Sequence, residues 1–395
     1  MKKLMLASCL FFLSIAVFAA EINFLEDPVW STVLARAKKE NKMIFLDGYA
    51  TWCGPCKNMD SQTYKDQAVA DYYNANFINV KYDLEKGEGK TLAEKYLVSA
   101  YPYLMFINPD GVMLHKGVGF KQAADFVDLG KEAKNPATQY YTLKNKAASL
   151  TSTEFAKFAA MASAFEDEDY PQLAKDYVAK QPDILANQDL IDLVMESIDE
   201  LPNEKALTYF AQNKAKVISS GKYDAEEFES KLVGFAIQYA ISDEVQKDPD
   251  HLDFPAIQAI LDKYIPTKAF FVFNYFKAQN AIGEKKLDEA TQSLELLIAN
   301  TPGKVNFDQI CNAMMGMGPD LAKEGKLEPI LKKFDAIVVP AKDADRTYMK
   351  EFVKAVIYIK SKEFDKFKTI ANAMIASTTT PQNVKDDLKA ALARM

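Results

Sequence analysis

The chain has 395 residues, 49% of them hydrophobic and 26% charged, the balance of an ordinary globular protein with apolar surface for two or more cores. Its 48 basic and 55 acidic side chains give a net charge of -7, so no basic face fit to track a phosphate backbone is expected and nucleic acid is excluded as a partner. Eight of the 15 glycines precede residue 136, which predicts a turn-rich first third and a helical remainder.

In chain order, Lys2 and Lys3 precede an apolar run from Leu4 to Phe18, and Val17 and Ala19 stand where a signal peptidase needs small residues. A secretory signal over residues 1–19 is expected, with cleavage near Ala19 and an exported, periplasmic chain that is soluble afterwards. The run is shorter than the roughly 20 residues that span a bilayer. Leu6-Ala7-Ser8-Cys9 has the residue types of a lipoprotein box, but most of the hydrophobic segment follows Cys9 instead of preceding it. Cleavage leaves Cys53, Cys56 and Cys311, too few for a disulfide-stapled scaffold.

Residues 20–135 read as the first domain. Ile22 to Phe24 suits an edge strand, and Asp27-Pro28 reads as a capped helix start ahead of Trp30, Val33, Leu34 and Ala37. A strand from Lys42 to Ala50, a helix after Cys53, a strand near Phe77 to Asp83 and a helix near Leu92 to Tyr96 follow. A strand from Tyr103 to Ile107 then turns at Pro109-Asp110-Gly111 into a last strand near Val112 to His115, and Phe120 to Glu132 closes as a helix. Alternating helices and strands with a terminal hairpin predict a mixed sheet covered on both faces.

Two cysteines three positions apart at a strand-to-helix junction place Cys53 at a helix N-terminus, where unpaired N–H groups and the helix dipole stabilise a thiolate. Cys53 is therefore the expected nucleophile. Cys56, one turn further in and expected to be less exposed, would resolve the mixed disulfide. That step needs a base, and Asp47 at the end of the preceding strand is the candidate, with Lys81 tuning it. Half of a zinc site is the other reading of such a pair. It is set aside because only Cys311, His115 and His251 remain as soft ligands and none forms a matching doublet.

The string Trp52-Cys53-Gly54-Pro55-Cys56-Lys57, with Asp47 upstream, resembles the thioredoxin superfamily, as does Ala100-Tyr101-Pro102-Tyr103 followed by an apolar strand and Asp110-Gly111. The resemblance covers residues 21 to 134 and is closest in pattern to exported bacterial members such as the periplasmic domain of the membrane disulfide reductases. It implies a thioredoxin fold, a redox-active Cys53/Cys56 disulfide and a cis peptide bond at Pro102. It also implies substrate contacts at Trp52, Gly54, Pro55, Tyr101, Pro102 and Gly119, and tuning by Lys57 and Lys81. No cofactor or metal is implied. Gly54-Pro55 resembles reducing members, so reduction or isomerisation is expected over net oxidation. Gly48, where an aromatic is common, and Tyr101 and Tyr103, in place of an aliphatic and a threonine, depart from the family pattern.

Residues 136–395 show no strand pattern. Phe352, Ala355, Val356 and Ile359, like Leu287, Ala290, Leu294, Leu297 and Ile298, fall at helical spacing. Polar turns precede Tyr170, Ala206, Leu252, Leu287, Leu327 and Phe364, separated by 36, 46, 35, 40 and 37 residues. This soft period predicts an all-α domain of helical hairpins resembling tetratricopeptide arrays, or an irregular bundle. Phe270, Phe271, Phe273, Tyr275 and Phe276 read as core, the alternative being a groove for apolar peptides, and Met314, Met315 and Met317 read the same way. Cys311 reads as buried and inert, Glu166-Asp167-Glu168-Asp169 as a solvated turn, and His115 and His251 have no partner in sequence.

These expectations combine into an exported thiol-disulfide oxidoreductase acting on disulfides of other exported proteins. Its helical domain recruits partners, and a thiol donor, such as a membrane disulfide reductase, recycles it. The alternative from another class is a helical client-binding scaffold that the cysteine pair switches.

Overall fold

Hydrophobic residues alternate along the central strands, and that alternation builds two apolar faces. In β2 (Met43–Tyr49), Ile44 and Leu46 join one core while Phe45 joins the other. In β4 (Tyr103–Ile107), Tyr103, Met105 and Ile107 join the first and Leu104 and Phe106 the second. With β1 (Leu25–Glu26), β3 (Phe77–Asp83) and β5 (Met113–Val118), these strands form a sheet of order β1-β3-β2-β4-β5. Strands β1, β3 and β2 are parallel, and β4 and β5 run antiparallel to their neighbours. Side chains of α1 (Trp30–Glu40) and α4 (Gly87–Lys95) fill the first face. Those of α2 (Gly54–Ser61), α3 (Gln67–Asn76) and α5 (Ala123–Lys134) fill the second. This is the expected mixed sheet with helices on both faces, an α/β thioredoxin fold.

The computed structural model describes residues 21–248 and 251–395, so the expected signal segment, with Lys2, Lys3, Cys9 and Ala19, lies outside the described residues. Among the described residues no helix is long and apolar enough to cross a membrane.

Three local expectations change. The edge strand is Leu25–Glu26, because Ile22 instead enters the second core and donates its N–H to the Tyr64 carbonyl. Asp27 caps nothing: it sits at φ 42°, its carboxylate accepts the Asp83 N–H, and α1 starts at Trp30, whose N–H donates to Glu88. The segment between Cys53 and Phe77 holds two α-helices. Asp66 caps α3 by accepting from the N–H groups of Ala68 and Val69, a signal readable in the sequence.

Compact packing divides the chain elsewhere than composition does. One unit runs to Pro182 and takes in Ala186–Ser197; the other holds Asp183–Leu185 and Ile198–Met395. In the first unit α6 (Tyr140–Lys144), α7 (Ser152–Ala164), α8 (Tyr170–Ala179) and α9 (Gln188–Asp192) follow the sheet. Helix α6 contacts β5, an edge of the sheet, and the Tyr140 N–H donates to Nδ1 of the buried His115 at 3.1 Å. His115 therefore has a partner that sequence spacing hides. Asp167 is not part of a solvated turn either: it accepts from the Tyr140 hydroxyl and, at 2.7 Å, from Lys144, which also reaches Asp169.

The second unit is helical: α10 (Glu204–Gln212), α11 (Lys214–Ile218), α12 (Ala225–Ala240), α13 (Phe254–Tyr264), α14 (Ala269–Gly283) and α15 (Leu287–Ala299) lead into α16 (Phe307–Lys323), α17 (Leu327–Asp335), α18 (Met349–Lys360), α19 (Phe364–Ala376) and α20 (Gln382–Ala393). Tyr170, Leu287, Leu327 and Phe364 each open a helix, whereas Ala206 lies inside α10 and Leu252 ahead of α13. The four helix-opening residues share a turn. Glu166, Lys285, Gly325 and Lys362 adopt positive φ, and the next N–H returns to a carbonyl five residues back: Asp167 to Ala162, Lys286 to Ala281, Lys326 to Leu321 and Glu363 to Tyr358. The aromatics of α14 are half-buried, not fully core. Phe270, Phe271 and Tyr275 pack on the unit's apolar core, and Phe273 and Phe276 pack against Phe254. Met314 and Met317 are buried and Met315 half-buried, while His251 is exposed beside Asp248.

Cys311 is fully buried in α16, and burial pushes its thiol up to about 12. In the native protein it should resist alkylation at pH 8 while reacting readily in denaturant, and Cys311→Ser should cost about 1–2 kcal/mol because it buries an unpaired hydroxyl. Mass spectrometry after pulsed alkylation and urea titration check both.

Candidate active site

The dithiol sits where β2 hands over to α2. Cys53 is the N-cap of α2, in extended conformation, and its sulfur accepts the Cys56 N–H at 3.1 Å, with Pro55 in the first turn. The two cysteines are joined in a disulfide with their Cα atoms 5.4 Å apart. Contrary to the expected difference in exposure, Cys53 and Cys56 are only 2% and 3% exposed. They share a small apolar cluster with Ala50, against which Tyr49 and Tyr101 pack. The helix N-terminus lowers the cost of a thiolate at Cys53, since its free N–H groups and dipole face that position.

Strand alternation puts Asp47 on the same face as Phe45, the face that α2 covers, and parallel register sets Asp47 directly across from Lys81 of β3. Asp47 is 1% exposed, and burial pushes its carboxyl up to about 7 even though the Lys81 ammonium, 3.7 Å away, favours the charged form. Lys81 is shared: it also donates to Asp60 of α2 in a closer contact. Asp60 and Glu26 add negative potential that opposes ionisation of Asp47. The Tyr64 phenol lies beside the carboxyl, but Asp47 Oδ1 and the Tyr64 oxygen have no hydrogen-bond partner among the described residues.

The second half of the site is the loop entering β4. The Tyr101-Pro102 peptide bond is cis, and Gly119 at φ 78° donates its N–H to the Pro102 carbonyl at 3.0 Å, tying the end of β5 to the loop. Tyr101 also meets the Trp52 indole edge to face, centroids 5.7 Å apart, and that indole donates to both carboxylate oxygens of Glu85 at 3.0 Å. Trp52, Gly54 and Pro55 are exposed on the rim. Lys57 is exposed too, and the largest influences on Asp47 are burial, Lys81 and Asp60.

The fold therefore brings Cys53, Cys56 and Tyr101 together, pairs Asp47 with Lys81, and joins Pro102 to Gly119. Asp60, Tyr64, Glu26 and Glu85 were not anticipated. Asp60 stands four residues after Cys56, one helical turn on, a spacing that could have flagged it. The others reach the site only through sheet pairing and packing.

A mixed sheet with a two-residue cysteine loop at a helix start and a cis-proline loop tied to the end of its last strand defines a thioredoxin-fold protein. A family profile described as "Protein of unknown function, DUF255" (Thioredox_DsbH) matches residues 22–128. Thioredoxin H4 of Arabidopsis thaliana is 35% identical over 91 residues, 23% of this chain and 71% of that protein. Thioredoxin-1 of Drosophila melanogaster is 40% identical over 68 residues, 17% of this chain, and the match spans only 59% of that protein's length. A bacterial relative, the thiol:disulfide interchange protein DsbD of Pasteurella multocida, is 31% identical over 103 residues, 25% of this chain and 18% of that protein. The chain belongs to the thioredoxin superfamily.

Proposed function

We propose that this protein is an exported dithiol-disulfide oxidoreductase that reduces or isomerises disulfides in other exported proteins. In its reduced form the Cys53 thiolate attacks one sulfur of a client disulfide, and the client's other sulfur leaves as a thiolate that takes up a proton. Asp47 then accepts the Cys56 proton, and the Cys56 thiolate attacks the Cys53 sulfur. The Cys53–Cys56 disulfide forms, the client's second sulfur departs, and two electrons have passed to the client.

The observation that carries this reading is the Cys53–Cys56 disulfide at the first turn of α2, with a buried carboxyl, Asp47, poised near pH 7 on the face that helix covers. Tyr101 and Pro102 hold the client strand in this proposal, Trp52, Gly54, Pro55 and Gly119 line its path, and Lys81 tunes Asp47. The similarity to the thiol:disulfide interchange protein DsbD supports the exchange chemistry, and a thiol donor, such as a membrane disulfide reductase, recycles the dithiol in this proposal. The proposed chain order is a signal over residues 1–19, the thioredoxin-like domain over 20–135 and a domain of helical hairpins over 136–395 that recruits partners. Reduction of insulin by dithiothreitol tests the chemistry: the wild-type chain should accelerate it, and Cys53→Ser should fall to the uncatalysed rate. A Cys53→Ser protein as fast as wild type would remove the proposal.

A further inference from the structure

We infer that a cavity beside β5, separate from the dithiol, binds a polyhydroxylated ligand of the chemical class of a sugar, through His115 and Glu132. The cavity has a volume of about 420 Å³, within the range of small-molecule sites, and is walled by β5, α5 and α7, all in the first compact unit. Neither Cys53 nor Cys56 lines it, so the inference does not rest on the dithiol reading.

His115 is 1% exposed, and its Nδ1 accepts the Tyr140 N–H. That bond uses the Nδ1 lone pair, so the ring proton sits on Nε2. Nε2 is buried and donates to nothing among the described residues. A buried N–H without an acceptor costs free energy, and native folds leave few of them. The Nδ1 edge of the ring faces Tyr140, which does not line the cavity. The Nε2 edge faces Glu132, which does: its Oε2 is 3.8 Å away, beyond hydrogen-bond reach, on a side chain that is 53% exposed.

A donor and an acceptor at this separation match one kind of atom. Seated between them, it must accept from Nε2–H and donate to the carboxylate. A carboxylate oxygen cannot donate and an ammonium cannot accept, whereas a hydroxyl oxygen does both. The rest of the wall repeats the pattern. Lys121 brings an ammonium that only donates, and Asp125 a carboxylate that only accepts, two turns and about 10 Å along α5 from Glu132. An anion entering the cavity would meet Asp125 and Glu132, and a cation would meet Lys121, so a neutral ligand with several hydroxyls avoids both repulsions. Met161 of α7 and Phe165 just after it, both half-buried, supply an apolar side for the C–H face of a ring.

The chain holds two histidines, so long-range proton–nitrogen NMR spectra of the full oxidised protein report on His115 directly, with the exposed His251 as internal reference. Titration with glucose, mannose, N-acetylglucosamine and maltose should move the His115 Nε2 signal saturably with at least one sugar and leave His251 in place. Glu132→Ala, on a side chain exposed enough not to threaten folding, should weaken that sugar about tenfold, and Glu132→Gln, whose amide oxygen still accepts, should keep most of the affinity. Ribonuclease B and ribonuclease A, one polypeptide with and without a mannose-rich glycan, separate two sources of such a ligand. A shift with the glycosylated form alone supports a glycan carried by a partner protein, and a shift with free sugar alone supports a small-molecule ligand. No saturable movement with any sugar or with the glycoprotein would overturn the inference and leave the pair to a bridging water. Saturation by sodium acetate or glycine while the sugars stay silent would overturn the hydroxyl chemistry. Equal sugar affinity in Glu132→Ala would overturn the assignment to the His115–Glu132 pair.

Discussion

Cys56→Ser should convert a transient intermediate into an isolable one. With Cys53 intact, attack on a client disulfide still forms the mixed disulfide, but no thiolate one turn along α2 remains to displace the client. Expressed in an exported compartment and quenched with acid, the variant should carry covalent partners on Cys53 that dithiothreitol releases, while Cys53→Ser carries none. Turnover with insulin should fall by at least about 10³-fold, since resolution would depend on an external thiol. Non-reducing gels with mass spectrometry of the released proteins read the result and identify the clients. A Cys56→Ser chain that reacts with oxidised glutathione yet captures no protein would shift the weight to the helical region as the functional part.

Asp47→Asn should have two opposite effects. The folded oxidised protein holds the Asp47 proton up to about pH 7, whereas an unfolded chain releases it near pH 4. Between those values the folded state binds more protons than the unfolded one, so stability falls as pH rises through the window and levels off above it. A shift of about three units corresponds to about 4 kcal/mol of lost stability at pH 8, and asparagine removes that penalty. Urea titrations should therefore show the variant more stable than wild type by about 2–4 kcal/mol at pH 8, and by little at pH 4. Catalysis should move the other way: without an acceptor for the Cys56 proton, resolution of the mixed disulfide should slow about 10²-fold at neutral pH. Asp60→Asn is the matching control. It removes one negative charge and frees Lys81 to favour the Asp47 carboxylate, so the Asp47 titration followed by NMR should move below 7.

Much of the candidate site was legible before folding because its chemistry is local. Cys53, Gly54, Pro55 and Cys56 lie within one helical turn, and that spacing alone puts Cys53 at the N-cap and Cys56 one turn in. The strands Phe77–Asp83 and Tyr103–Ile107 were legible for a similar reason, as apolar runs bounded by turn residues. Asp27 misled because a proline after an acid looks like a helix start, yet its carboxylate is held by the Asp83 N–H, 56 residues away. Exposure of the cysteines was misjudged because Tyr49, at the end of β2, and Tyr101, in the loop before β4, pack against the cluster that holds both cysteines.

The linear chain determined which atoms carry reactivity, since a pair of thiols at a helix start depends on neighbours a few residues apart. It also set the two structural classes, since alternation and helical spacing are local patterns. Only the tertiary structure decided the electrostatics. Asp47 meets Lys81 through parallel register, Lys81 is drawn to Asp60 by the packing of α2, and the carboxyl is raised by burial between sheet and helix. Distance sets a Coulomb interaction and desolvation depends on everything packed around a charge, so neither can be read until residues far apart in sequence have been brought together.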